Sequence, residues 1–495
     1  MFLSKYFFKT IYDVGIIRIF GRLNYEIKKI IFGLLPGKLN LFISNAFQKN
    51  PNFKDVLKNL KKDKLFIKKN NLNLKYLRFN FLNDEKLLTL PIKWQSTEFN
   101  QLWRFNLHYF DWAREVIENS HKQNDNEEKL LSLNFLLDDW IDNNIPGYGD
   151  GWNSYTISLR IRNWILIFRT LPNLVNEKFI NSLWQQICWL FNNKEIYIGG
   201  NHWIENLVSL IIGSLQFEGS RARTIYQYSV RNLELELNKQ ILSDGGHIER
   251  SASYHLLILD RLVELGLIIE NIVGERPIWL IDAILKMTNW ASAIKLENGE
   301  YPKFNDNIDL NFSIDSIIYY ASSYLGQNII EEESIKNELS KIYKKKLTLK
   351  ENCFKNNNDK SLIKLLNTGW IIAKINNSVE LVFKVGKSCP KSLPAHAHSD
   401  LLSFELFCKG VPLIVETGTS TYGDNKKRYF ERSGQAHNIL QLSPFLKNKK
   451  EFIEWIEPIE VWGNFRAARK AKILEKVGMI LKDGTIFMKG SNDAN

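Results

Sequence analysis

Trp370-Ile-Ile-Ala-Lys-Ile375, Val379-Glu-Leu-Val-Phe-Lys-Val385, Leu402-Ser-Phe-Glu-Leu-Phe407 and Val411-Pro-Leu-Ile-Val415 follow one another with Gly, Asn and Pro between them. They are short, rich in β-branched residues or alternating, and bounded by turn formers, so they read as antiparallel strands. Upstream the rhythm is different. Leu130, Leu133, Leu137, Trp140 and Ile141 fall at steps of three, four, three and one, and Ile157, Ile161, Trp164, Ile165, Phe168 and Leu171 repeat the pattern. That spacing lines one face of a helix. Further helical stretches are expected over 180–192, 203–216, 222–241, 251–270, 277–294 and 330–344, separated by Gly-, Pro- and Asn-bearing turns such as Gly199-Gly-Asn201. A multidomain α+β chain results, with helical hairpins first and strands second.

The joint is expected at 346–362, charged and Asn-rich through Asn356-Asn-Asn-Asp359, which reads as a linker. Residues 1–94 then form a basic N-terminal helical region, 95–345 the helical domain and 363–495 the β domain. The last of these is short for a closed β fold, and a sheet stopped there would expose edges. The chain has 495 residues with 66 Lys and Arg against 54 Asp and Glu, a net charge of +12. This excess favours an anionic partner. The Lys residues are scattered and carry no groove-reading motif, so nucleic acid is not the expected one. Fourteen Trp suit stacking on sugars.

The four cysteines form no Cys-x-x-Cys pair, which argues against a disulfide framework or a Cys-based zinc site. No apolar run reaches the roughly 18 residues of a membrane span. Residues 1–30 hold six basic and two acidic residues, and no uncharged apolar core followed by a cleavage site is visible. The expected location is therefore cytoplasmic or on the cytoplasmic membrane, with a periplasmic one as the alternative. The N-terminus reads as a surface helix of the fold or as a peripheral membrane contact.

Six of the eight histidines cluster in four polar, turn-rich motifs: Gly199-Gly-Asn-His-Trp-Ile-Glu205, Asp244-Gly-Gly-His-Ile-Glu-Arg-Ser-Ala-Ser-Tyr-His255, Ala395-His-Ala-His-Ser-Asp400 and Gly434-Gln-Ala-His-Asn438. His396 and His398, two residues apart before a strand, are expected to share one face. Such a pair suits zinc, with Glu416 and His437 as completing ligands, or Asp400 orienting a ring. Tyr254 lies beside Arg250 and histidines that can lower its pKa toward proton transfer. Asn201 and His202 follow a double Gly that permits close approach to a ligand, and Glu205 shares the helix face of His202. Asn plus His, a Tyr and a second His match a specific task. Removing the C5 proton of a uronic acid requires donors on its carboxylate, a base at C5 and an acid at the C4 oxygen.

At these residues the sequence resembles the heparinase II/III family of polysaccharide lyases, related alginate lyases and the dermatan-sulfate epimerase. The similarity runs from Trp103-Arg-Phe-Asn-Leu-His-Tyr-Phe-Asp111 through Trp152-Asn-Ser-Tyr-Thr-Ile-Ser-Leu-Arg160, Asn201-His202 and the segment ending in His255. It continues through His396-Ala-His398, Arg428-Tyr-Phe-Glu-Arg432, Ala436-His-Asn438 and Val461-Trp-Gly-Asn-Phe-Arg466. The resemblance implies an incomplete (α/α) toroid followed by an antiparallel β-sandwich, with the active site in the cleft between them. It implies that Asn201 and His202, with Glu205, neutralise a uronate carboxylate. Tyr254 and His396 would exchange protons with C5 and O4. Trp103, His108, Tyr109, Trp152, Arg160 and Arg250 would bind substrate, and His398, Glu416 and His437 would hold one structural zinc, with Glu416 where the family has Asp. No organic cofactor is implied. The expected activity is β-elimination in a uronic-acid-containing acidic polysaccharide; the alternatives are a uronyl C5-epimerase with the same residues or an inactive glycan-binding relative. The basic N-terminal region is reminiscent of members that act on a cell's own surface glycan.

Overall fold

A computed structural model describes residues 8, 11–35, 77–82, 84–114, 126–310, 312–326, 353–356, 360–376, 378–440 and 459–493. In chain order the helices are α1 (Ile16–Leu34), α2 (Gln101–Tyr109), α3 (Asn126–Asn143), α4 (Ser154–Thr170), α5 (Glu177–Asn192), α6 (Gly200–Ser214), α7 (Ser220–Gln240), α8 (Ala252–Val273), α9 (Ile278–Ile294), α10 (Ile314–Gly326) and α11 (Lys426–Arg432). The strands are β1 (Arg78–Phe81), β2 (Asp84–Leu87), β3 (Cys353–Asn356), β4 (Lys360–Leu365), β5 (Trp370–Ile375), β6 (Val379–Lys384), β7 (Phe404–Cys408), β8 (Val411–Ile414), β9 (Ile459–Gly463), β10 (Arg466–Lys470), β11 (Ile473–Ile480) and β12 (Ile486–Asn492). The helical half followed by antiparallel strands agrees with the sequence reading, except that the β1–β2 hairpin stands in the 1–94 region expected to be helical, where Phe79 and Phe81 alternate inward; the helix expected over 330–344 lies outside the described residues. The expected linker is partly strand: its residues 353–356 pair as β3 with β4, Cys353 opposite Ile363 and Asn356 opposite Lys360. The rest of that segment, except 360–362 in β4, lies outside the described residues.

The chain divides into two compact units. One comprises Met1–Ile16, Glu236–Gly266 and Arg276–Asn495, the other Ile17–Leu235 and Leu267–Glu275. The division therefore does not follow the linker. The segment before α8 joins the strands instead, because Asp244 accepts hydrogen bonds from the backbone N–H of Asn367 and Thr368 at 2.8 and 2.6 Å. In this first unit β3 to β8 form one six-stranded antiparallel sheet in sequence order. The β11–β12 hairpin lies on its face: Ile480, Ile486 and Met488 pack on the buried Leu362, Ile371, Ala373 and Val385. Glycine makes that approach possible, since a Cβ at Gly490 would stand 2.6 Å from Leu402 Cδ2.

In the second unit α4 is buried along almost its whole length and packs against α2, α5 and α6. Asn153 and Asn176 cap α4 and α5 by accepting from Tyr155 N–H and Phe179 N–H, which fixes where each helix begins. The core holds Trp103, Trp112, Trp140 and Trp164, each about 1% exposed or less. Most of the Trp that suggested sugar stacking by number alone thus serve packing.

Candidate active site

The first unit gathers Tyr254, His396, Asp306, Arg428 and Tyr422. The start of α8 is built by the residues before it. Gly245 has φ +89°, a conformation that favours glycine, and a Cβ there would stand 2.3 Å from the Lys286 carbonyl oxygen. Ser253 N–H donates to Asn307 Oδ1 at 2.9 Å, and Ser253 Oγ accepts from Ile308 N–H at 3.1 Å. These bonds clamp the first turn of α8 to the 305–308 segment and so set Tyr254 beside Asp306. Asn305, at φ +62°, turns that segment and donates its backbone N–H to Asp400 at 2.7 Å.

Asp306 is fully buried and saturated. His396 Nδ1–H donates to Oδ2 at 2.9 Å, His398 Nε2–H to Oδ1 at 2.7 Å, Thr419 Oγ–H to Oδ1 at 3.2 Å, and Arg428 clasps both oxygens, with Nη2 at 2.8 Å from Oδ2. Burial opposes ionisation of the carboxyl, but the bonds from His396 and His398 and the charge of Arg428 outweigh it and hold Asp306 well below the usual carboxylate range. The two imidazoles therefore reach one carboxylate from one side, as their spacing predicts, although the segment is a turn and the strand begins later, at Phe404.

With Nδ1 committed to Asp306, His396 is oriented like the imidazole of a carboxylate–histidine pair. Its ring packs on that of Tyr254, centroids 4.1 Å apart and planes 42° apart. Tyr254 donates its hydroxyl to Tyr422 Oη at 2.9 Å. The Arg428 guanidinium carbon lies 4.9 Å from the Tyr422 ring centroid. Glu249 Oε2 stands 3.9 Å from His396 Nε2 and 3.7 Å from His247 Nδ1. His247 is kept neutral: burial pushes its pKa down to about 4, the Glu249 charge opposing only in part. A phenol packed against an oriented imidazole and bonded to a second phenol brings together groups of the kind that exchange protons.

Among the residues expected to bind zinc, His437 Nδ1 is hydrogen-bonded to Glu416, and Glu416 also accepts from Ser403 Oγ–H. The His398 and His437 rings lie 5.2 Å apart, and His398 Nδ1 and His437 Nε2 are buried without a hydrogen-bond partner among the described residues. Two imidazole nitrogens thus fit an ion, while the carboxylate is engaged by His437. No group of three or more His, Cys, Asp or Glu among the described residues is placed to hold a metal.

Arg250 was expected on substrate and is structural. At φ +56° it is 7% exposed, and its guanidinium donates to the carbonyls of Thr368, Asn367 and Ile248 at 3.1, 3.3 and 3.3 Å. It fastens the approach to α8 onto the β4–β5 turn.

The second unit carries the other expected residues. Asn201 is buried at the start of α6, where Gly199 and Gly200 have φ of +72° and +57°. His202 is one-third exposed; its Nδ1–H donates to Glu195 at 3.2 Å, and its ring packs 4.4 Å from that of Tyr155. Glu205 is paired with Arg162 at 2.8 Å in the interior. Tyr109 is half-buried, its ring edge-on to Tyr155. Trp103, His108, Trp152 and Arg160 differ from expectation, since all four are buried core residues of this unit with exposures of 4% or less. Trp103 donates to the Asp84 carbonyl and Trp152 to that of Asn144. His108 accepts from Trp140 Nε1–H, and burial followed by the nearby Arg160 charge holds its pKa well below the ordinary value. Arg160 is spent on Gln186 and the carbonyls of His108 and Gly151, with Trp140 3.9 Å from its guanidinium carbon. Aromatic and basic residues in a motif look alike whether they line a cleft or cement a core.

Asp306, Tyr422 and Glu249 were not singled out in the sequence. The signal that marks Asp306 is the polar run Asn305-Asp-Asn307 directly after Phe304, with all three polar residues buried at 5% or less.

The helical unit, the sheet unit and a buried carboxylate presenting His396 to Tyr254 define a two-part protein with an oriented Tyr–His pair in its sheet unit. The heparinase II/III N-terminal family model matches residues 43–326 and the heparinase II/III-like C-terminal model matches residues 357–494, so the chain belongs to the heparinase II/III family. It is 24% identical over 358 residues to a heparin-sulfate lyase of Bacteroides thetaiotaomicron, covering 65% of this chain and 49% of that protein. The crystal structure of heparinase III superposes with a TM-score of 0.55 at 18% identity, over 81% of this chain and 61% of that one. That likeness is of fold. The chain spans about half the length of the curated relative it matches.

Proposed function

We propose that the protein is a polysaccharide lyase that cleaves a uronic-acid-containing acidic polysaccharide by β-elimination. The observation that carries this reading is the Tyr254–His396 pair held by Asp306. The C5–H bond breaks and its electron pair forms the C4=C5 double bond; the C4–O4 bond breaks, and the leaving oxygen takes up a proton. Tyr254 and His396 are the two groups that remove and return these protons. Because Asp306 occupies Nδ1 of His396, Nε2 is the nitrogen that takes part.

The ring contact between Tyr254 and His396 favours elimination over C5-epimerisation, because epimerisation requires proton donors on opposite faces of the sugar. Asn201, with His202, is the proposed partner of the uronate carboxylate, whose charge must be drawn off when C5 becomes a carbanion. The heparin-sulfate lyase relative supports a glycosaminoglycan as the substrate, and the net charge of +12 suits a polyanion. A zinc on His398 and His437 would act on the fold alone, and no chemical step uses it.

The test is incubation of the full chain with a panel of uronate polysaccharides, heparan sulfate first, in heavy water under proton NMR. A vinylic C4 proton is expected, appearing at least about a hundredfold more slowly with Tyr254→Phe. Deuterium at C5 in an intact polymer would establish the epimerase instead. Silence from every polymer would leave a binding protein.

A further inference from the structure

Helix α1 is amphipathic, and it is mounted with the wrong face inward. Residues 17–34 belong to the second unit. The contacts that seat the helix there are small or polar. A Cβ at Gly21 would stand 2.5 Å from Tyr197 Cβ, so the helix backbone lies directly on that side chain. The Tyr25 ring packs 5.7 Å from that of Tyr197, and Tyr25 Oη accepts from Asn153 Nδ2–H at 3.2 Å. Lys28 Nζ donates to the Asn192 carbonyl and to Asn193 Oδ1 at 3.5 and 3.4 Å. On the opposite side Phe20, Leu23, Ile27, Ile30, Ile31 and Leu34 follow at steps of three, four, three, one and three. All six are exposed, Phe20 at 63%, Ile30 at 62% and Leu34 at 74%. Surface helices of globular proteins turn that stripe inward.

Arg22 and Lys29 are exposed on the polar side of the helix, about 130–150° around from the centre of the stripe, and the one acidic residue in the helix, Glu26, is already paired with Arg22 at 2.5 Å. A stripe of large apolar residues on a net-cationic helix matches an anionic bilayer surface, where the side chains enter the acyl boundary and the long cationic side chains reach toward phosphate. A second copy of the chain is a poorer partner, because it would set one net-cationic helix against another with no unpaired carboxylate on either to answer the charge. No helix among the described residues is long and apolar enough to cross a membrane, so the contact lies in the plane of the surface.

We infer that α1 is a docking surface for an anionic phospholipid membrane, holding the protein peripherally through Phe20, Leu23, Ile27, Ile30, Ile31 and Leu34. The inference is independent of the reaction the protein catalyses. The experiment is cosedimentation of the full chain with vesicles of phosphatidylcholine and phosphatidylglycerol, with pure phosphatidylcholine vesicles in parallel. The parent should pellet with the anionic vesicles. Phe20→Asp combined with Ile27→Asp should lower the bound fraction by about tenfold or more, with circular dichroism and melting temperature unchanged. Lys29→Glu should weaken binding to anionic vesicles by a similar factor through charge alone. A parent that stays in the supernatant overturns the inference, as does an Asp variant that folds and pellets like the parent. It is equally overturned by a lipid-free dimer in analytical ultracentrifugation that the Asp variant dissociates.

Discussion

Asp306 receives donors from His396, His398, Thr419 and Arg428, so one side chain both orients the imidazole and neutralises a buried guanidinium. Asp306→Asn keeps the shape but removes the charge, leaving Arg428 buried without its counterion. The expected loss is about 3–5 kcal/mol of stability, read as a lower denaturation midpoint, together with loss of the proposed lyase activity in the surviving folded fraction. His396, His398 and Tyr254, which the structure gathers around Asp306, were legible because they sit in compact polar motifs. Asp306 was not, because the contacts that matter to it come from residues 90 or more positions further along the chain. Arg250, Arg160 and His108 misled for the opposite reason: their chemistry is reactive in type, and only their burial against backbone carbonyls reveals a structural role.

Among elements, the β4–β5 turn illustrates how closely the sheet is assembled. Gly369 has φ +97°, and a Cβ on it would stand 2.2 Å from Gly386 Cα, where the chain leaves β6. Gly369→Ala therefore combines backbone strain with a backbone clash, and should cost well over about 1 kcal/mol in urea unfolding. Gly274→Ala supplies the control: its φ of +78° is also left-handed, yet nothing lies within 4 Å of the added Cβ, so the loss should stay near about 1 kcal/mol. Helix and strand were readable here because each follows its own period over many residues. Val411-Pro-Leu-Ile414 was readable despite its proline, and β8 is indeed an edge strand, where a missing N–H is tolerated. The β3 strand was hidden under an Asn-rich composition, and the compact units cut across the linker because side-chain bonds from Asp244, more than 100 residues earlier, outweigh chain order.

Taken as a whole, the molecule stores neutral imidazoles in its interior. Burial pushes His247 and His398 down to about 4 and His255 to about 3, from an ordinary 6.5. A histidine whose pKa is lower folded than unfolded binds fewer protons in the folded state, so stability rises with pH between the two values. The contribution of these three histidines should accordingly be lost progressively as pH falls from about 6.5 toward about 4, well before Asp306 itself is protonated, while Glu405, pushed up to about 8 by burial, opposes it with one group against three. Thermal unfolding followed across that window tests this; a midpoint that does not move from pH 7 to about 4 contradicts it.

The Asp306 cluster also bears on how such a protein can decay. Tyr254 meets the cluster through its ring on His396 and a hydroxyl bond to Tyr422, and it carries no charge that the interior must balance. Asp306 offers no such freedom, since its loss unseats Arg428. In a lineage drifting from the proposed reaction toward a silent carbohydrate-binding role, the phenol is thus the replaceable part, while the carboxylate is kept by the fold. Descendants without the proposed activity should still carry the Asp306–Arg428 clasp, and its persistence would be a record of ancestry, not of activity.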